Sequence, residues 1–322
     1  MTCRLKLGFV PLTDAAPLIA ARAQGYFRDE GLEVQLSREV SWATIRDKVA
    51  AGVLDGAHML APMAIAATLG VGSERAPMVV PLALGVNGAG VTLSTRLTNG
   101  GTRAEDLARL IARRRDEGAS PLTFAVVFPY SIHNYLLRAW LAGAGVDPDA
   151  DVRLIVAPPS RMAELLEAGV VEGFGAGEPW GALAESAGVG RVAVRAAEFW
   201  GRAPDKVFGV TEAWAAKDPA RLAAVVRALS RGAAWCDAPG ARAELAALLA
   251  RPEYVDAPAG LIEPGLRHVV FHREGANSPR PEDAAWLIGQ MVRWGQLGAS
   301  VDAEAAARRI YRPEVYEAAL AG

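Results

Sequence analysis

Lys206 is one of four lysines in a chain with thirty arginines, and it directly precedes the apolar run Val207-Phe208-Gly209-Val210. A solvated cation in this chain is normally Arg, so a lysine leading into a strand is a candidate for a functional charge. Its compact ammonium suits a small anion better than the planar guanidinium fork, which matches carboxylate and phosphate. The alternative is an ordinary surface lysine. His133, two residues after Ser131, can donate an imidazole N–H to a ligand or serve as a structural histidine. Trp42, directly after Ser41, offers one indole N–H on an apolar wall, or simply fills the core. Asn87 and Gly88, within Gly85-Val86-Asn87-Gly88-Ala89-Gly90, place a short amide beside a flexible backbone, or form a plain Asn-Gly turn. No nucleophile–base pair or paired carboxylate motif suggests hydrolysis.

Helix starts add to this donor set. Thr13-Asp14, Ser41-Trp42 and Ser131-Ile132-His133 each begin a helical stretch soon after an apolar run. The first turn of a helix exposes unpaired N–H groups and the positive end of its dipole, so several converging on one cleft make an anion site. Capped helices also occur throughout α/β proteins, so capping alone does not decide the point.

The elements that would position these residues alternate short apolar runs with helical periods, the pattern of an α/β architecture. Strands are expected at Leu5–Val10, Leu32–Leu36, Val79–Leu84, Gly90–Ser94, Leu122–Val127, Val152–Val156 and Lys206–Val210. Helices are expected near Ala15–Gln24, from Ser41 to Val49, Ala104–Arg115, Ile132–Ala144, Ser160–Ala168, Ala241–Ala250 and Ala284–Gly295. A further one, capped by Asp218 and opened by Pro219, runs to Cys236. The polar stretch 96–119 holds the run Arg113-Arg114-Arg115, read as a solvated helix face. The layout predicts a lobe built from residues 1–92 and 203–322, with a second lobe, 93–202, inserted between them. Two crossovers then join the lobes, and ligands of open α/β sheets sit beyond the carboxyl ends of the strands.

The bulk composition narrows the function classes. The chain has 322 residues, 52% of them hydrophobic and 22% charged, with a net charge of −2. That is ample for a large core and offers no basic stripe for a phosphate backbone, so direct nucleic-acid binding is not expected. Two cysteines, Cys3 and Cys236, make neither a disulfide framework nor a metal cluster, and no cofactor is implied. The start Met1-Thr2-Cys3-Arg4-Leu5-Lys6-Leu7-Gly8 runs straight into the first strand without a secretory signal, which predicts a cytoplasmic location. No membrane span is expected, since the most apolar region, Pro77 to Leu93, is broken by Pro81 and glycines.

Several stretches carry a resemblance. Leu7-Gly8-Phe9-Val10-Pro11-Leu12-Thr13-Asp14-Ala15-Ala16-Pro17, Ser41-Trp42-Ala43-Thr44-Ile45-Arg46-Asp47 and Leu54-Asp55-Gly56-Ala57-His58-Met59-Leu60-Ala61-Pro62-Met63 are similar to the nitrate- and bicarbonate-binding proteins of bacterial ABC uptake systems. So are Phe128-Pro129 with His133, Gly177-Glu178-Pro179-Trp180, and Trp235-Cys236-Asp237. The resemblance spans almost the whole chain. It implies a two-lobed, type II periplasmic-binding-protein-like fold with a ligand cleft between the lobes and no enzymatic activity. The nitrate binders of that family use a Trp, a Gln, a His and a Lys, which implies Trp42, His133 and Lys206 here. The Gln has no clear match; Asn87 is the nearest amide, and if the position falls at Ala89 the donor is missing. His58 would line the cleft floor or serve the structure.

Within the family the chain resembles the cytoplasmic nitrate/nitrite sensors, on its signal-free start and on the segment Phe271-His272-Arg273 through Asn277-Ser278-Pro279. That branch implies nitrate or nitrite as ligand and a NasT-like ANTAR antiterminator protein as partner, released when the anion binds. Three rivals stand beside it. One is a periplasmic solute-binding protein of an ABC transporter. Another is an enzyme on the same fold, as in thiamine-pyrimidine synthesis, which would need a cysteine-rich site. The third is bicarbonate as ligand, with Glu178 accepting its proton, although Glu178-Pro179 also reads as a helix start.

Overall fold

The computed structural model describes residues 3–98 and 101–321. Met1 and Thr2, residues 99 and 100 within the polar stretch 96–119, and Gly322 lie outside them.

Among the described residues, ten strands form two five-stranded sheets. The first contains β1 (Cys3–Phe9), β2 (Leu32–Arg38), β3 (Gly56–Leu60), β4 (Met78–Val86) and β10 (Pro204–Thr211), in the order β2-β1-β3-β10-β4. The second contains β5 (Ala89–Ser94), β6 (Leu122–Val126), β7 (Val152–Val156), β8 (Gly173–Gly177) and β9 (Gly190–Arg195), in the order β7-β6-β8-β5-β9. Both sheets follow one plan. Three parallel strands are followed by a strand of opposite direction, β10 in the first sheet and β5 in the second. Those two antiparallel strands are the crossovers, so the chain changes lobe between Val86 and Ala89 and again just before Pro204. The expected boundary at 92/93 falls inside β5, whose pairing is with β8 and β9.

Strands β1, β2, β4–β7 and β10 appear close to their expected positions, whereas β3, β8 and β9 were not anticipated. The sequence of β8, Gly-Phe-Gly-Ala-Gly, has little intrinsic strand preference. Close packing requires its glycines: a Cβ on Gly173 would lie 2.8 Å from the Thr92 carbonyl, and one on Gly175 2.8 Å from the His133 carbonyl. Three helices begin as their sequences dictate. Ser41 accepts from the Thr44 N–H, Ser131 from Asn134, and Asp218 from Arg221 ahead of Pro219 at the first helical position. The helix Pro219–Cys236 packs Leu222, Val225 and Leu229 against Leu7, Leu82 and Phe208 of the first sheet, each such side chain contributing about 1.5–3 kcal/mol by leaving water.

Strand β4 is buried along its whole length and contains Pro81, which supplies no N–H. Its outer edge is covered by chain from the C-terminal part. Val86 and Val270 exchange backbone bonds, Ala83 N–H donates to Asn277 O, and Arg312 N–H donates to Val80 O. Asn277 Nδ2 donates to Ala83 O at 2.8 Å and to Phe271 O at 2.7 Å, and its Oδ1 lies 2.6 Å from His272 Nδ1. The segment Phe271–Pro279 is therefore an edge brace. No helix among the described residues is long and apolar enough to cross a membrane.

We expect Asn277→Ala, which removes the bonds of this buried side chain, to lower stability by about 2–3 kcal/mol. Urea unfolding checks it; a variant within about 0.5 kcal/mol of the parent would show the brace to be dispensable.

Candidate functional site

The site is assembled at the carboxyl ends of the parallel strands, where β1, β2 and β6 each lead into a helical segment. After β1 the chain makes a 3-10 turn, Thr13–Ala15, that carries Asp14. After β2, Ser41 starts the helix Trp42–Ala50, which puts the Trp42 ring at its first position. After β6, Ser131 starts the helix Ile132–Gly143, and His133 falls in its first turn. His58 stands within β3, opposite Phe208 of β10, and Lys206 pairs with Leu60 at the end of β3.

Lys206 is fully buried, with Nζ 2.7 Å from Asp14 Oδ2 and donating to Asp205 Oδ1 at 2.5 Å. Both carboxylates are buried as well. Adjacent strand residues ordinarily point to opposite faces, yet Asp205 and Lys206 share one contact. The β10–β4 register shifts on both sides of Lys206, and such a bulge re-aims side chains in this way. His58 places Nε2 3.0 Å from Asp14 Oδ1, and its ring centroid lies 5.1 Å from that of Trp42. The ammonium sits 5.7 Å from the Trp42 ring centroid, within cation–π range. Gly177 and Gly88 close the space around Asp14: a Cβ on either would lie 3.3 Å from Asp14 Oδ2.

The charge states follow from these contacts. Burial would raise the Asp14 carboxyl, but the Lys206 charge and the His58 contact outweigh it and hold it far below the usual carboxylate range. Burial pushes Asp205 up to about 6, with Asp14 adding to the rise and Lys206 opposing it. Burial works against the Lys206 charge, yet the two carboxylates raise its pKa above the ordinary lysine value. His58 is lowered by burial, against the pull of Asp14. His133 is lowered far more, by burial and then by Lys206. At neutral pH the cluster thus contains one ammonium, two neutral imidazoles, an ionised Asp14 and a carboxyl that titrates nearby.

Three side chains here have buried nitrogens with no protein hydrogen-bond partner. Trp42 Nε1 and one ring nitrogen of the neutral His133 are donors, while the other His133 nitrogen and His58 Nδ1, whose Nε2 faces Asp14, are acceptors. A buried donor left unpaired costs about 1–3 kcal/mol, and native interiors rarely tolerate several together. The two donors, Trp42 Nε1 and one His133 N–H, lie close to the Lys206 ammonium, an arrangement suited to an acceptor-rich ligand. Trp42, His58 and Lys206 come from the lobe of the first sheet and His133 from the other. The two lobes meet directly here. Thr13 donates from N and Oγ1 to Glu178 O at 2.9 and 3.1 Å, and Trp180 Nε1 donates to Pro11 O at 3.2 Å.

Of the sequence-derived candidates, Trp42, His58, His133 and Lys206 are brought together. Asn87 is elsewhere: its Oδ1 accepts from Ala203 N–H, Nδ2 donates to Gly201 O, and its backbone adopts φ 72°. It clamps the two crossovers to each other, which engages both ends of its amide. Ala89 starts β5 and supplies no donor in its place. Gly88 borders the cluster, since a Cβ there would come within 2.9 Å of Asp205 Oδ2. The Glu178 side chain turns away, accepting from Ala182 N–H and lying 3.5 Å from Arg195, so only its carbonyl serves the seam. Burial raises the Glu178 pKa, but its carboxyl belongs to a helix start. Sequence reasoning missed Asp205 altogether and read Asp14 only as part of a helix start. The helix Ala16–Ala23 in fact has no side-chain cap.

A model of the NMT1-like family matches residues 2–250. The chain is 36% identical over 331 residues to the nitrate import ATP-binding protein NrtC of Synechocystis sp. PCC 6803, covering 97% of this chain and 49% of that protein. It is 31% identical over 340 residues to the nitrate/nitrite binding protein NrtA of the same organism, covering 98% of this chain and 75% of that one. It thus spans about half the length of the import ATP-binding relatives. The crystal structure of the periplasmic nitrate-binding protein NrtA from Synechocystis PCC 6803 superposes with a TM-score of 0.94 at 29% identity, covering 99% of this chain and 89% of that one. The two-lobed type II periplasmic-binding-protein fold is common to both.

We expect Lys206→Met to strand two buried carboxylates and lower stability by about 3–5 kcal/mol. Their folded pKa values would then exceed the unfolded ones, so the folded state binds the extra protons and the loss shrinks as pH falls from about 8 to about 5. Urea unfolding at both pH values checks this. A loss of equal size at both would contradict the charge assignment.

Proposed function

We propose, on the premise that the chain belongs to the NMT1-like family and within it to the nitrate/bicarbonate solute-binding proteins of ABC transporters, that it is a receptor for nitrate or nitrite. The observation that carries this reading is the buried Lys206 ammonium with the unpaired nitrogens of Trp42 and His133 at the seam of the lobes. Nitrate is planar, singly charged and a weak acceptor, so no single contact holds it tightly. Lys206 supplies charge, Trp42 and His133 supply directed N–H groups, and the helix starts at Trp42 and Ile132 add their dipoles. Because the donors come from both lobes, the anion favours the closed form by its higher affinity for that form.

Two observations support the import receptor better than the cytoplasmic sensor. The relatives are named for nitrate import, bicarbonate transport and nitrate/nitrite binding, all uptake systems or their binding proteins. The segment Phe271–Pro279, which pointed toward the sensors, is engaged as the edge brace of β4. In this reading the closed form docks on a membrane permease. The sensor alternative keeps the same anion site but places the chain in the cytoplasm with a NasT-like antiterminator, and co-purification from its own cells tells permease from antiterminator. Bicarbonate is less well served, because the Glu178 carboxyl meant to take its proton is already engaged.

Titration calorimetry with nitrate, nitrite and hydrogencarbonate tests the ligand. We expect saturable one-to-one binding of nitrate or nitrite, and silence toward both would overturn the assignment. Trp42→Phe keeps the ring beside His58 and removes the indole N–H. It should weaken nitrate binding about tenfold, the equivalent of one net hydrogen bond, without lowering the melting temperature. Lys206→Ala is a poor probe, since it removes the counter-charge of two buried carboxylates.

A further inference from the structure

Charge in the cluster points beyond simple anion capture. Lys206 is the single ammonium, and it already contacts two carboxylates, Asp14 at 2.7 Å and Asp205 at 2.5 Å. All three groups are cut off from water. With both carboxylates ionised the triad carries one excess negative charge before any ligand arrives, and a bare anion would double it. In a low-dielectric interior that is strongly unfavourable. We propose that Asp205 takes up one proton from solvent when the anion enters, so that nitrate capture is a proton-coupled, electrically neutral step.

This inference rests on the nitrate-receptor reading. Its geometry singles out Asp205. Asp14 contacts both Lys206 and His58 and is the better stabilised anion. Asp205 has only Lys206, through Oδ1, while its Oδ2 is buried against Gly88 without a protein donor. A proton on Oδ2 turns that oxygen from an acceptor into a donor, as an anion requires. Its place on the titration scale, about 6, makes the proton available near neutral pH.

The other charged groups around Asp205 are accounted for. Lys206 is on its own strand, Asp14 on the turn after β1, His58 on β3 and His133 on the helix from the other lobe. Strand β4 offers no titratable side chain. On the helix Trp42–Ala50, Arg46 pairs with Asp47 and Lys48 with Glu39. His268, on the loop whose Val269 borders Gly88, is influenced by Arg195 and Glu198.

Nitrate titrations of the whole protein at about pH 7.5, in buffers of different ionisation enthalpy, should report uptake of nearly one proton per anion. Affinity should fall about tenfold for each pH unit above about 6 and level off below it. Asp205→Asn supplies the neutral donor permanently, so its binding should release or take up almost no proton and vary little with pH. Binding without proton uptake in the parent overturns the proposal and leaves the nitrate receptor standing. Uptake that persists in Asp205→Asn assigns the proton elsewhere and overturns the role of Asp205. Absence of any nitrate binding removes the receptor reading itself.

Discussion

An ammonium withdrawn completely from water costs several kcal/mol, even after relaxation, unless opposite charge meets it at contact distance. Lys206 meets two such charges, and the surrounding architecture can be read as the means of bringing them there. The turn after β1 delivers Asp14, and the bulge in β10 swings Asp205 onto the side of its neighbour. Glycines at 88 and 177 leave room for the carboxylates. His58 and the Trp42 ring fill the remaining walls. The result is a cluster held together by charge and poor in spare positive potential, so that directed N–H groups have to do much of the recognition.

Those N–H groups explain why the site lies between lobes. A single sheet offers one set of strand ends, whereas two sheets of the same plan, joined by the antiparallel crossovers β5 and β10, can face their strand ends toward each other. His133 reaches the cluster only because the second lobe is closed against the first. The closing contacts run through backbone groups, the Glu178 carbonyl taking Thr13 and the Pro11 carbonyl taking Trp180. Away from the cleft, Trp200 packs edge-on to Trp286 at 5.1 Å, and Gln296 bonds both Tyr135 and Pro129, so the last part of the chain also straps the lobes.

Much of this was legible in the sequence, for identifiable reasons. Capping signals at Ser41, Ser131 and Asp218 are local chemistry, and the helices start there. A lone lysine among arginines and a histidine in a first helical turn marked two members of the cluster. Glycine-rich β8 was not legible, since its strand character is imposed by neighbours that leave no space for a Cβ. Asp205 escaped because strand alternation places it opposite Lys206, and only the register shift against β4 overrides that rule. The role of Asn87 in the crossover was not legible either: its amide bonds Gly201 and Ala203, a contact set by the return of the chain and not by local sequence.

The most direct test of the central claim is a crystal structure of the protein grown with nitrate. The account predicts a planar anion within hydrogen-bonding distance of Lys206 Nζ, Trp42 Nε1 and a ring nitrogen of His133, enclosed by both lobes. An anion bound elsewhere, or a Lys206 still held only by Asp14 and Asp205 at saturating nitrate, would contradict it.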